Sequence, residues 1–106
     1  MSKHILEQLD EVVAERSKQD PQASYVASLF DEGLEKIQKK LNEESLEAIL
    51  AAEGDDQRAL VSEVADLWFH SIVLLAYKDS SVDEVLSELE RRFGISGIEE
   101  KASRTK

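Results

Sequence analysis

Residues 42–70 read NEESLEAILAAEGDDQRALVSEVADLWFH. The stretch divides at Glu53-Gly54-Asp55-Asp56, where Gly suits the C′ position of one helix and Asp the N-cap of the next. The first half carries Glu43, Glu44 and Glu47, and the second carries Glu63 and Asp66. Folding the two helices back antiparallel across the turn sets Glu47 opposite Glu63 and Glu44 opposite Asp66. Glu44 and Glu47 share one face of their helix, as Glu63 and Asp66 do of theirs, because residues three apart are neighbours on a helix surface. With a rise of about 1.5 Å per residue, the four carboxylates close into one patch.

Such a patch opposes folding unless something neutralises it, since like charges one turn apart each cost a few tenths of a kcal/mol. The surroundings sharpen the point. From Ala59 to Tyr77 the second helix is apolar nearly all round, through Leu60, Val61, Val64, Ala65, Leu67, Trp68, Phe69, Ile72, Val73, Leu74 and Leu75. A helix of that kind is expected to be buried, with Glu63, Asp66 and His70 as its one polar stripe. Buried charge is tolerated when paired or bound to metal. Clustered carboxylates without cysteine are hard oxygen ligands, suited to Mg²⁺, Mn²⁺ or Ca²⁺ and not to zinc or copper. The plain alternative, an acidic run on a solvated face, explains Glu43-Glu44 alone but not the matched spacing of the second pair.

Glu43-Glu44-x-x-Glu47 followed by Glu63-x-x-Asp66 resembles the EExxE…ExxD signature of the all-α, MazG-like nucleotide pyrophosphohydrolases. The flanks narrow the resemblance: Ser24-Tyr25-Val26, Lys39-Lys40, Ala65-Asp66-Leu67-x-x-His70, Leu89-Glu90-Arg91-Arg92-Phe93 and Ser96-Gly97-Ile98-Glu99-Glu100-Lys101. Together they are similar to the phosphoribosyl-ATP pyrophosphatases of histidine biosynthesis, from Leu6 to Arg104. One departure is Asn42, where that family often has Gly. The resemblance implies Mg²⁺-dependent hydrolysis of 1-(5-phosphoribosyl)-ATP to phosphoribosyl-AMP and pyrophosphate, with Glu44, Glu47, Glu63 and Asp66 as metal ligands and Mn²⁺ as an alternative ion. It also implies a homodimer, which would cover the apolar helix.

Composition fits this frame. The chain has 106 residues and no cysteine, which leads us to expect a single domain over 1–106 in a reducing, cytoplasmic setting. The N-terminus has no signal-peptide pattern, and the apolar run, broken by Asp66, His70 and Lys78, is expected to fall short of a membrane span. A net charge of −10 argues against a nucleic-acid surface, which needs a basic footprint. An anionic nucleotide must then be met by a metal and a few local cations.

In chain order, Ile5, Leu9, Val12 and Val13 mark a helix from about residue 5 to 17, ended by Asp20-Pro21. Ser24 caps a second segment, Gly33 bends the chain, and a further helix reaches Glu53 with a kink at Asn42. The apolar helix runs from Gln57 to Lys78. Ser81-x-x-Glu84 is a capping box opening a helix that Gly94 closes. Residues 96–106 show little periodicity and are expected to be a frayed terminus or a mobile lid. No stretch alternates at period two, so the expected fold is all-α: a four- to five-helix bundle, MazG-like, assembled as a homodimer.

Individual residues carry two readings each. Glu43 points about 100° away from Glu44 and either orients a water, acts as base, or is solvated. His70 either hydrogen-bonds a ligand carboxylate from behind or is a core histidine. Lys36 and Lys40 meet phosphates or pair within the helix. Arg92 binds substrate or answers the helix dipole. Ser24 and Tyr25 contact the nucleotide or cap and pack. Ser96, Gly97, Lys101 and Arg104 fold over the substrate or fray. Rival readings of the whole are a housecleaning pyrophosphohydrolase of dUTP, dCTP or damaged triphosphates, and a non-enzymatic helical dimer module. With Cys absent and His4 and His70 the only histidines, no covalent triad is available.

Overall fold

The computed structural model describes residues 4–93 and 97–104. Among these are six helices and no strand: α1 Ile5–Arg16, α2 Tyr25–Glu32, α3 Leu34–Ala52, α4 Gln57–Tyr77, α5 Val82–Arg92 and α6 Gly97–Arg104. Gly94, expected to close α5, and Ser96 lie outside the described residues.

Side-chain caps set most helix starts. Ser24 Oγ accepts from the Ala27 N–H, Asp56 accepts from the Arg58 and Ala59 N–H groups, and Ser81 Oγ accepts from the Glu84 N–H; each satisfies a donor that the first turn leaves over. Glu84 Oε2 in turn accepts from Ser80 Oγ at 2.8 Å. α4 ends on Asp79 at φ 61°, with the Ser80 N–H donating to the Leu75 carbonyl at 2.8 Å. That is the left-handed residue and six-residue back-bond of a Schellman close.

The two helices of the opening stretch form an antiparallel hairpin, α3 against α4, the most extensive helix pairing in the chain. Two local expectations are corrected, at Asn42 and in the tail. α3 passes through Asn42 without a break, because an exposed Asn in a helix interior costs only a fraction of a kcal/mol. Gly54 holds the C′ position expected of it, after Glu53 as C-cap with αR geometry, and does so at an ordinary φ. The aperiodic tail is helical over α6, with its described side chains exposed.

Gly33 is the joint between α2 and α3. At φ 98° and ψ −176° it occupies a region open essentially to glycine alone, and the two helices meet there without a linker.

The core is built at one end of the hairpin. Val13, Val26, Leu29, Ile37, Ile72, Val73 and Val82 are buried together, with Leu9, Phe30, Phe69 and Tyr77 packed against them. Phe30 and Tyr77 meet edge to face at 5.3 Å between ring centroids. Towards the turn, the hairpin is bare: Leu46, Ile49, Leu50 and Val61 are exposed, and Trp68 is 55% exposed. α4 is therefore buried on one side only within a single chain. Its length and composition are enough to cross a membrane, contrary to expectation, because two carboxylates in so long an apolar helix do not disqualify it.

Candidate metal centre and its rim

The hairpin brings three of the four expected carboxylates into one close group, with Glu47 outside it. Glu44, Glu63 and Asp66 each offer an oxygen, and the three oxygens lie within 4.8 Å of one another. Glu44 is buried, Glu63 half-buried and Asp66 exposed, so the cluster opens on one side. Glu47, exposed on α3, stands beside Glu63. Hydrogen bonding to Glu47 is the main cause that raises the Glu63 pKa, followed by desolvation and the charges of Glu47, Asp66 and Glu44.

Two oxygens test whether a cation fits. Glu44 Oε2 and Glu63 Oε2 are shut off from solvent and have no hydrogen-bond partner in the protein. A buried acceptor left unpaired costs about 1–3 kcal/mol, more if charged. Oxygens of this kind, inside a group of carboxylates this close, suit a hard divalent ion. Lys40 answers only the outer edge: its Nζ lies 3.4 Å from Glu43 Oε1 and 3.7 Å from Glu44 Oε1. Its pKa is raised, first by Tyr25 and then by Glu43 and Glu44, so it stays cationic.

Behind the cluster, His70 is buried. Its Nδ1 lies 2.8 Å from the Asp66 backbone carbonyl, which can only accept, so Nδ1 carries the proton. Nε2 is then the acceptor for the Tyr25 hydroxyl, 2.8 Å away. His70 therefore holds the main chain of Asp66, where contact with a carboxylate was one expectation, and it ties α4 to the start of α2. Nothing in the sequence pairs residues 25 and 70; the link follows only from how α2 packs.

The other expected residues are placed as follows. Ser24 is buried, its Oγ accepting from Ala27 N–H at 3.1 Å and donating to the Arg16 carbonyl at 3.3 Å. Lys36 lies on α3 one turn before Lys40. Arg92 Nε donates to Glu88 Oε2 at 2.9 Å, and Arg91 donates to both Glu88 oxygens, which lowers the Glu88 pKa to about 2. Gly97 starts α6, and Lys101 and Arg104 lie in its last turn, where cations suit the dipole.

The class defined by this fold and site is an all-α protein whose antiparallel helix pair gathers a cluster of carboxylates that could hold a metal ion. A family profile described as phosphoribosyl-ATP pyrophosphohydrolase matches residues 6–93. The chain belongs to that family. Among curated relatives, a protein named phosphoribosyl-ATP pyrophosphatase from Hydrogenovibrio crunogenus is 47% identical over 110 aligned positions, covering 100% of this chain and 97% of the relative. Proteins of the same name from Aromatoleum aromaticum and Azoarcus sp. are 52% and 51% identical, covering 95% and 94% of this chain and 94% of each relative.

Proposed function

We propose that this chain hydrolyses phosphoribosyl-ATP at the α–β phosphoanhydride, releasing phosphoribosyl-AMP and pyrophosphate, as a step of histidine biosynthesis. The observation that carries the reading is the pair of buried, unpartnered oxygens on Glu44 and Glu63 inside the carboxylate cluster. Membership of the family supports the substrate.

Glu44, Glu63 and Asp66, with Glu47 at their side, are the residues that would hold Mg²⁺ or Mn²⁺. A bound ion there supplies charge neutralisation on phosphate oxygens and a more acidic water. The protein's own part is placement. Lys40 presents an ammonium group at the open rim, where a phosphate can exchange for its present partners Glu43 and Glu44. Glu43, freed from Lys40, is placed to accept a hydrogen bond from the attacking water and orient it. Lys101 and Arg104 on α6 supply two further donors for the substrate, and Lys36 and Arg92 two more cations.

The functional unit in this reading is a cytoplasmic homodimer. Leu46, Ile49, Leu50, Val61 and Trp68 form an exposed apolar surface on the hairpin, of a kind that marks an interface. The radius of gyration, 15.9 Å, exceeds the roughly 13 Å of a compact domain of about this length, as fits a hairpin projecting towards a second copy. The Glu63–Asp66 stripe and the net charge of −10 favour this over a bilayer or nucleic acid as partner.

Pyrophosphate release tests the reaction. Phosphoribosyl-ATP is expected to be the preferred substrate over dUTP and dCTP, with activity abolished by chelator. Glu47→Gln or Glu63→Gln should lower turnover by at least about 10²-fold while the chain stays folded. Deleting residues 96–106 should lower kcat/KM for phosphoribosyl-ATP more than for simple triphosphates. Activity persisting in excess chelator refutes the metal assignment, and equal rates on all three nucleotides refute the substrate.

A further inference from the structure

Tyr25 is oriented against the habit of its residue type. Tyrosine ordinarily buries its ring and leaves its hydroxyl near water. Here the hydroxyl is turned inward onto buried His70 at 2.8 Å, and the residue is 50% exposed although it sits at the first position of a helix. The His70 ring stands edge-on to it at 5.8 Å and 80°, and the Phe69 ring braces His70 in the same way at 5.4 Å and 87°. One end of the phenol is thus pinned and the ring left facing outward. The phenol also feels its neighbours: burial raises its pKa, Lys40 lowers it, and Glu44, Glu43 and Asp66 raise it. Those four residues are the Lys40–Glu43 rim, the buried Glu44 and the exposed Asp66 of the carboxylate cluster.

An aromatic ring that is exposed, held still and placed beside a phosphate-binding cluster has one evident use. We propose that Tyr25 is the stacking platform for the planar base of the nucleotide, and that His70 is a positioning residue acting through it. The proposal rests on the reading that nucleotide phosphates occupy the carboxylate cluster, and it adds where the base lies. Stacking on an aromatic side chain favours any base by its π-face. A ring fixed in advance loses less freedom when the base arrives. His70 supplies that fixing, because the Asp66 carbonyl at 2.8 Å orients the imidazole that accepts the hydrogen bond of the Tyr25 hydroxyl. The platform and the Asp66 segment of the cluster therefore move as one body.

The test reads binding and turnover separately. In Mg²⁺ buffer, AMP should shift the Tyr25 ring proton resonances upfield, whereas inorganic pyrophosphate should leave them in place. Assignment is direct, since the chain has two tyrosines and Tyr25→Phe removes one set. With phosphoribosyl-ATP, Tyr25→Ala should raise KM about tenfold with kcat changed by less than about threefold. Tyr25→Phe, which keeps the ring, should raise KM less. His70→Ala should raise KM towards the Tyr25→Ala value, and His70→Gln, which keeps an acceptor for the hydroxyl, should recover most of the loss. Ring resonances unmoved by AMP overturn the proposal, as does a Tyr25→Ala enzyme that loses kcat at unchanged KM. The AMP shift in the unmodified chain decides the platform even if phosphoribosyl-ATP proves not to be the substrate, or if a His70 variant fails to fold.

Discussion

Gly33 and Gly54 look alike in the sequence, each lying between two helices, and the structure gives them opposite tolerances. Gly33 sits at φ 98° and ψ −176°, where a non-glycine residue costs about 1–3 kcal/mol. A Cβ there would meet the Tyr77 hydroxyl at 3.7 Å, an ordinary contact, so the whole penalty of Gly33→Ala is backbone strain. For a domain near 100 residues, each kcal/mol moves Tm by about 4–8 °C, so Gly33→Ala should melt roughly 5–20 °C lower. At Gly54 the φ is ordinary, and a Cβ would lie 3.7 Å from the Ala51 carbonyl oxygen. Gly54→Ala should gain about 0.4–1 kcal/mol by restricting the unfolded chain. Urea unfolding followed by circular dichroism at fixed protein concentration gives both differences from the midpoints, provided the slopes agree. Gly33→Ala unfolding at the wild-type midpoint, or Gly54→Ala proving the less stable of the two, would refute this account of the joints.

Glu63 makes a pH prediction. Its folded pKa is raised, so the folded chain takes up the proton before the unfolded chain does; without metal, stability should rise as pH falls from neutrality towards the ordinary carboxylate value, and Glu63→Gln should flatten that rise. Thermal melts in chelator between about pH 7.5 and 4.5 check this, and a fall in stability over the window would contradict it. The Glu88 contribution has the opposite sign and is lost only below that window, as pH falls from its ordinary value towards about 2. For the assembly, sedimentation should find a dimer at low micromolar concentration, and Trp68→Glu should yield a helical monomer by placing a charge in the apolar surface; a monomeric wild-type chain would refute the interface.

The hairpin was legible because its information is local. The spacings of Glu44 and Glu47 and of Glu63 and Asp66, with a turn between them, determine which faces meet, and no knowledge of the remaining helices is required. Caps at Ser24, Asp56 and Ser81 were legible for the same reason. What the residues alone could not yield depends on packing between distant segments. Tyr25 meets His70 through the packing of α2 beside the hairpin, and a Tyr-His pair 45 positions apart leaves no periodic trace. Gly54 was legible as the C′ residue but its φ was not, because a Gly after a helix fits both left-handed and ordinary closures. The apolarity of α4 reports a surface that wants cover, and one chain supplies only part of it, as its composition led us to expect. The helical tail escaped notice because α6 has too few apolar residues to show a stripe.

α4 also poses a sorting problem while the chain is being made. Emerging alone, a helix of this length and apolarity resembles a substrate for membrane insertion. Its Leu, Ile, Phe and Val residues each favour insertion by about 0.3–0.6 kcal/mol, whereas a single Asp at the centre opposes it by about 2.5–3.5 kcal/mol. Asp66 lies near the midpoint of Gln57–Tyr77, with Glu63 one turn away. Glu63 and Asp66 therefore lower the tendency of α4 to enter a bilayer without removing it. Neutralising both in search of an inactive control would raise that tendency, and membrane fractionation after expression should find more of the double variant than of the unmodified chain in the pellet.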